Sequence, residues 1–355
     1  MTTKMITINS KEIKLMKPIT GADYDQKTVL TNSCWEYVEL WLRRQTKDKQ
    51  RAQRAMFFWK QAKNFYHASE LLPIESKPLT DYYCCMNAAK ALLSIKGNPG
   101  INLDNIDHGI GSDRDQWQTD NLVDAKVQFC AKGVLAELSK YLGEDAQKNV
   151  YSIYDLLYNI PCVHRAFSIT YARPELFIPI KNIGFCLYTE KAKGWLQFEV
   201  DKRYANGTAL KNIPSTYEAL PNNTKEKYLL RSKKRFDWDI HDNNKSLKLK
   251  NLSGYHKKIR KDIQYIAGDT RLWYLKKKMP GSDPKLDRNS ITLIFAVMHW
   301  LSELVRYNPL KFESLMKTKQ NWLINEFVQI ALHQYIDEIS CEITGTDIMT
   351  PGYKG

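Results

Sequence analysis

Residues 54–97 read RAMFFWKQAKNFYHASELLPIESKPLTDYYCCMNAAKALLSIKG, and the spacing of their apolar side chains decides the fold class. Phe58, Ala62, Phe65 and Leu72 recur at the three-to-four-residue interval of one helix face, which predicts a helix from Arg51 to Leu72 stopped by Pro73. A second helix is predicted after Pro78 and ends at Gly97, the residue suited to a left-handed C-terminal cap. Working outward, Asn32 and Ser33 offer N-caps to a segment carrying Trp35, Val38, Leu40 and Leu42. Gly97 to Trp117, rich in Gly, Asn and Asp, reads as a loop. A short strand near Val123–Phe129 and helices at Gly133–Leu142 and Tyr151–Ile160 follow.

The middle of the chain changes period. Phe177–Val200 holds two apolar-rich runs separated by Thr189–Gly194. Phe236, Trp238 and Ile240 alternate with Asp237, Asp239 and His241, Asn243 and Asn244 supply a turn, and Leu247 and Leu249 alternate with Lys248 and Lys250, which predicts a hairpin. Another joins Ile263–Ile266 to Arg271–Leu275 across Ala267–Asp269. Helical periodicity returns at Ile291–Tyr307 and at Asn321–Thr344, closed by Gly345. The expected fold is therefore α+β, with helical N- and C-terminal segments packed together and a central antiparallel β-rich basic region. The expected division is an N-terminal extension (1–30), a mainly helical region (31–170), the β-rich basic region (171–285), C-terminal helices (286–345) and a tail (346–355).

Composition excludes several classes. The chain has 355 residues, 43% apolar, with 20 Tyr, 12 Phe and 9 Trp, enough for a large core. Its longest apolar stretch, Ile291–Leu301, is about half of the ~20 residues a membrane span needs. The opening residues MTTKMITINSKEIKL lack an apolar block before a small-residue cleavage site, so a cytoplasmic location is expected. Seven cysteines, at 34, 84, 85, 130, 162, 186 and 341, form no CxxC pair and are expected to stay reduced. No HExxH, EF-hand, P-loop or GxSxG pattern occurs, so neither a metal nor another cofactor is expected.

The charge is local. Residues 201–280 carry 20 Lys+Arg against 8 Asp+Glu, a net +12 of the chain's +14. Lys233, Lys234, Arg235, Lys248, Lys250, Lys257, Lys258, Arg260, Lys261, Arg271, Lys276, Lys277 and Lys278 make a candidate surface for nucleic acid or another polyanion. Trp238, Tyr255, Tyr265, Trp273 and Tyr274 are interleaved among them, a pattern suited to stacking on unpaired bases. Core burial is the competing reading, strongest for Trp238, which is in phase with Phe236 and Ile240.

The stretch from Arg54 to Gly97, the pair His108-Gly109 and HWLSELVRYNPLKFESL (His299 to Leu315) together resemble the YaaC-like proteins of bacteria. That resemblance implies an architecture before an activity. QAKNFYHA followed by YYCCMNAAKALL is also similar to the first helices of HEPN domains, many of which are RNases or nucleotide-binding modules in toxin and phage-defence systems. Taken with the basic region, the two resemblances point to an intracellular protein that engages nucleic acid or another polyanion, as part of a bacterial defence or stress assembly, or alternatively to a divergent HEPN-like metal-independent ribonuclease. A catalytic HEPN domain carries Arg, four to six residues, then His. Arg235 to His241 has that spacing, but its alternation reads as a strand.

Two constellations carry candidate chemistry. His299, Glu303 and Arg306 fall at i, i+4 and i+7, on one face of the penultimate long helix, where the His would exchange protons, Glu303 orient it and Arg306 hold a phosphate. Their alternative is a structural polar stripe in which Glu303 pairs with Arg306. Asn87 and Lys90 would approach the stripe if the terminal helices pack. His108, Gly109, Gly111 and Arg114 form a possible anion loop, against a plain tight turn. Trp322, Ile324, Phe327, Val328, Leu332 and Tyr335 on the last helix provide apolar surface for a protein partner, against ordinary core packing.

Overall fold

The computed structural model describes residues 3–8, 10–112, 121–188, 190–221, 223–224, 227–241, 244–278 and 286–352. Its helices are α1 (Cys34–Arg43), α2 (Lys49–Ser69), α3 (Lys77–Lys96), α4 (Val134–Leu142), α5 (Ile153–Tyr158), α6 (His164–Tyr171), α7 (Gly207–Lys211), α8 (Lys245–Ile259), α9 (Ser290–Tyr307), α10 (Pro309–Met316) and α11 (Asn321–Thr344). The fold is α+β, and the helices of the two chain ends share one core.

Helices α2 and α3 form the antiparallel pair expected from the opening stretch, and α9 and α11 pack on α3. This surrounds α3, and Cys84, Cys85, Ala88, Ala89, Ala91 and Leu92 lose all exposure. The small side chains of Cys84, Cys85, Ala88, Ala89 and Ala91 let four helices approach one another. Every residue of α9 from Ser290 to Ser302 is buried. The long apolar run at 291–301 is thus the central helix of the core, apolar all round because neighbours cover it on every side.

The large sheet has eight strands. In spatial order its main path runs Tyr217–Ala219, Tyr228–Ser232, Lys193–Val200, Phe177–Tyr188, Leu272–Lys276 and Ile263–Ile266. All neighbours are antiparallel, with Thr3–Met5 added to Phe177–Tyr188 and Phe236–Asp237 to Lys193–Val200. One face buries Phe185, Leu196, Phe198 and Leu275 against α8 and the N-terminal segment, whose Ile6, Ile13 and Leu15 complete this second core. A smaller sheet of Ile110–Ser112, Lys126–Phe129 and Asn149–Ser152 lies beside the helices.

Two local expectations are corrected. Residues 245–259 form a helix and not the second strand of a hairpin. Leu247 and Leu249 do alternate with lysines, but Leu252, Tyr255, His256 and Ile259 recur at helical spacing and carry the burial, while Leu247 stays exposed. Asn244 caps this helix by accepting from the Leu247 N–H at 3.0 Å. Gly97 is not left-handed, with φ −79° and ψ −172°. Glycine is needed there because a Cβ would stand 2.6 Å from the Leu93 carbonyl oxygen.

The cationic cluster divides on folding. Arg260 is 2% exposed and donates to the carbonyls of Ile263 at 2.5 Å and Lys17 at 3.0 Å. Lys276 has no exposed surface and donates to the Leu286 carbonyl at 2.7 Å. Arg271 pairs with Asp347. These three cations satisfy internal acceptors at the seams between chain segments and offer nothing to a polyanion. Lys233, Lys234, Lys250, Lys258 and Lys278 remain exposed. Between these extremes, Arg235 lies over Trp195 and 3.5 Å from Glu218, Lys248 faces Trp238, Lys257 reaches the Tyr141 carbonyl and Lys261 pairs with Asp287. Burial holds the Lys277 ammonium below its ordinary pKa. Trp238, Tyr255, Tyr265, Trp273 and Tyr274 are all buried, so none presents a face for base stacking.

On α11, Ile324, Phe327, Val328, Leu332 and Tyr335 are consumed by the core, and Trp322 alone of the six is exposed, at 45%. Among the described residues, no helix is long and apolar enough to cross a membrane.

Candidate functional site

Packing of α3 against α9 brings the polar stripe of α9 to the loop that precedes the small sheet. A cavity of about 520 Å³ opens there, lined by Leu79, Tyr82 and Tyr83 from α3, Asp107 to Ile110, Cys130 and Lys132, and His299, Ser302, Glu303, Arg306 and Tyr307 from α9. His108 and His299 thereby come within 5.7 Å, ring centre to ring centre.

The position of His108 follows from two glycines. Gly133, at φ +110°, precedes α4, and a Cβ on it would stand 2.3 Å from both N and Cα of Gly109, itself at φ +79°. With both side chains absent, the backbones touch, and the free N–H groups of α4 find acceptors in the loop: Val134 donates to the Asp107 carbonyl at 2.9 Å and Leu135 to that of His108 at 3.1 Å. Cys130 N–H donates to the Gly109 carbonyl at 3.0 Å. The loop and the start of α4 therefore form a backbone clasp that carries His108, the tight turn expected there as the alternative to an anion loop. Gly111 lies in the strand Ile110–Ser112, opposite Gln128, and Arg114 falls outside the described residues.

The Tyr82 hydroxyl is hydrogen-bonded to Nδ1 of His108. Its ring also meets His299 edge-on at 5.0 Å. The His299 side chain is nearly sealed, and its Nδ1 has no hydrogen-bond partner among the described residues. Glu303 Oε2 lies 3.9 Å from that nitrogen, beyond hydrogen-bond reach. Burial, helped by His108, drives the His299 pKa down to about 3, so the ring is neutral near pH 7. Burial also lowers His108, assisted by the Lys90 ammonium and opposed by Glu303 and Asp107. Arg306 is exposed at the mouth and lies 4.9 Å over the Tyr307 ring.

The three residues expected on the α9 stripe thus reach one cavity, as does His108. Of the two α3 residues expected nearby, Lys90 acts electrostatically on His108 and lies 5.4 Å over Phe58, while Asn87 donates to the Tyr83 carbonyl at 2.8 Å. Arg235 and His241 do not join the site: Arg235 turns back onto the Ser232 carbonyl and His241 is exposed. Sequence reasoning missed Tyr82, Cys130 and Lys132. The Tyr82-Tyr83 pair stood inside the opening stretch, but nothing local distinguishes a tyrosine that meets a histidine from one that fills a core.

A family model described as YaaC-like protein matches residues 17–343. No curated protein and no solved structure matches.

Proposed function

The chain belongs to the YaaC-like family, and from that premise we propose that it engages nucleic acid, or another polyanion, with one phosphate group seated in the cleft between α3 and α9. The carrying observation is the convergence of His108, His299, Tyr82 and Arg306 on a single open cavity. The lining holds Lys132 and Arg306 against Asp107 and Glu303, so charge alone would retain an anion weakly. Neutral hydrogen-bond donors must share the work. Exposed Lys233, Lys234, Lys250, Lys258 and Lys278 supply the long-range attraction.

A second reading, a metal-independent ribonuclease of HEPN-like kind, is favoured by the unpartnered Nδ1 of His299. In that reaction Nδ1 takes the proton of the attacking hydroxyl, the new oxygen–phosphorus bond forms as the bond to the leaving oxygen breaks, and the same proton passes to that oxygen. Glu303 steadies the transient imidazolium and Arg306 holds the phosphate.

The test is titration of labelled single-stranded RNA, single-stranded DNA and duplex DNA at several salt concentrations, with and without a chelator, following binding and cleavage together. Salt-dependent binding weakened by Arg306→Ala supports the binding reading. Chelator-resistant RNA cleavage lost in His299→Ala supports the second. Absence of binding at physiological salt sinks both.

A further inference from the structure

The Tyr82 and His108 rings are near-parallel, their planes 15° apart and their centres 5.5 Å from each other, and the phenol hydroxyl is hydrogen-bonded to Nδ1. Tyr82 is buried, at 3% exposed. A buried phenol proton needs an acceptor, and His108 Nδ1 is the partner the structure provides. Were the imidazole the donor, that proton would lose its acceptor. The tyrosine therefore donates and Nδ1 accepts. A neutral imidazole that accepts at Nδ1 carries its own proton on Nε2.

We propose that Tyr82 is a positioning residue that locks His108 as the Nε2–H tautomer, making the two histidines of the cleft unequal. His108 presents an N–H donor to a phosphate oxygen, while His299 keeps its Nδ1 for proton exchange. This assignment rests on the reading of the cleft as a phosphate site for its consequence, though not for the tautomer itself. It supplies the neutral donor that the balance of charges in the lining requires. The ligand class follows: an oxyanion with acceptor lone pairs such as a phosphate group, for which the phosphodiester of a labelled RNA serves as the probe.

Long-range nitrogen–proton correlation spectra of the histidines, recorded on the full chain at pH 7, read the tautomer directly. His108→Asn assigns the signals. The expected pattern for His108 is a bare Nδ1 and a protonated Nε2, giving way to a tautomer mixture in Tyr82→Phe, which keeps the ring and removes the hydroxyl. A protonated Nδ1 in the unaltered chain, or a pattern unchanged by Tyr82→Phe, overturns the proposal. In parallel, Tyr82→Phe and His108→Asn should each weaken labelled RNA binding by roughly tenfold, with no further loss in the double variant. If neither variant alters RNA binding while the spectra show the expected tautomer, the phosphate reading of the cleft and the role given to His108 both fall, and only the tautomer assignment survives.

Discussion

The ammonium of Lys17 lies 2.9 Å from a carboxylate oxygen of Asp337 and 2.6 Å from the Ile348 carbonyl, joining the first segment of the chain to the last helix and the short strand Ile348–Met349 beyond it. Asp337 also accepts from the Tyr265 hydroxyl at 2.7 Å, and Arg260 donates to the Lys17 carbonyl at 3.0 Å. The N-terminal segment, the large sheet and α11 therefore meet at one buried network of charges.

Lys17→Met should cost about 3–5 kcal/mol, because it strands a largely buried carboxylate, and Asp337→Leu in the same chain should restore part of the loss. Urea unfolding at pH 7 measures both. Burial lowers the Lys17 pKa, yet Asp337 and its neighbours more than offset this and raise it above 10.5. Stability from the pair is thus fully present below pH 10.5 and falls as pH rises through the higher folded-state value.

Glu338 should make the protein less stable between pH 4.5 and 7. It is buried, which lifts its pKa from 4.5 to about 7 against the hydrogen bonds from Ser290 and Gln334. The folded state binds more protons than the unfolded state in this window, so this contribution declines as pH rises. Glu338→Gln should raise stability at pH 8 by up to about 3 kcal/mol and by little at pH 4.5. Melting temperatures at the two pH values decide it.

His256 and His299 act with the opposite sign. Burial drives each to about 3 from 6.5, so their contribution is complete above pH 6.5 and lost as pH falls toward 3. At pH 5 each should withdraw about 2 kcal/mol. Comparing urea curves at pH 7 and 5, His299→Gln should show a smaller drop than the unaltered chain.

The two classes of cation should separate cleanly. Neutralising exposed Lys233, Lys234 and Lys258 should lower nucleic-acid affinity at low salt about tenfold and reduce the salt slope by about two, with no change in melting temperature. Lys276→Ala should instead cost about 1–3 kcal/mol of stability, since it leaves the Leu286 carbonyl buried without its donor. Equal behaviour of the two variants would contradict the division.

Gly133→Ala tests the clasp. Its Cβ would collide with the Gly109 backbone at 2.3 Å and would sit at φ +110°. A loss of about 2–4 kcal/mol is expected, with weaker RNA binding as His108 is displaced. Lost stability with unaltered binding would detach the clasp from the site.

Much of the fold was legible because its pieces are local. Apolar spacing located α2, α3, α9 and α11, the two apolar runs around 189–194 became the paired strands Phe177–Tyr188 and Lys193–Val200, and the hairpin expected across 267–269 is seen as Ile263–Ile266 with Leu272–Lys276. Alternation failed at 245–250, where exposed Leu247 and half-buried Leu249 suggested a strand that the buried spacing of Leu252, Tyr255, His256 and Ile259 overrides. The short strand Thr3–Met5 had too little pattern to be read, whereas the alternation that begins at Phe236 pointed to the strand found at Phe236–Asp237. On α9, helix geometry by itself aligned His299, Glu303 and Arg306. That His108 faces them, and that Tyr82 bonds it, depends on segments remote along the chain.

Taken alone, the sequence determined the helical ends, the antiparallel middle and the excess of positive charge, because periodicity and composition are written residue by residue. Only the tertiary structure decided which of those charges meet water and which residues share the cleft. Arg260 and Lys276 carry the same formal charge as Lys233, and what separates them is the carbonyl each one finds after packing. A buried ion must be paired, and its partner is chosen by the fold from the whole length of the chain.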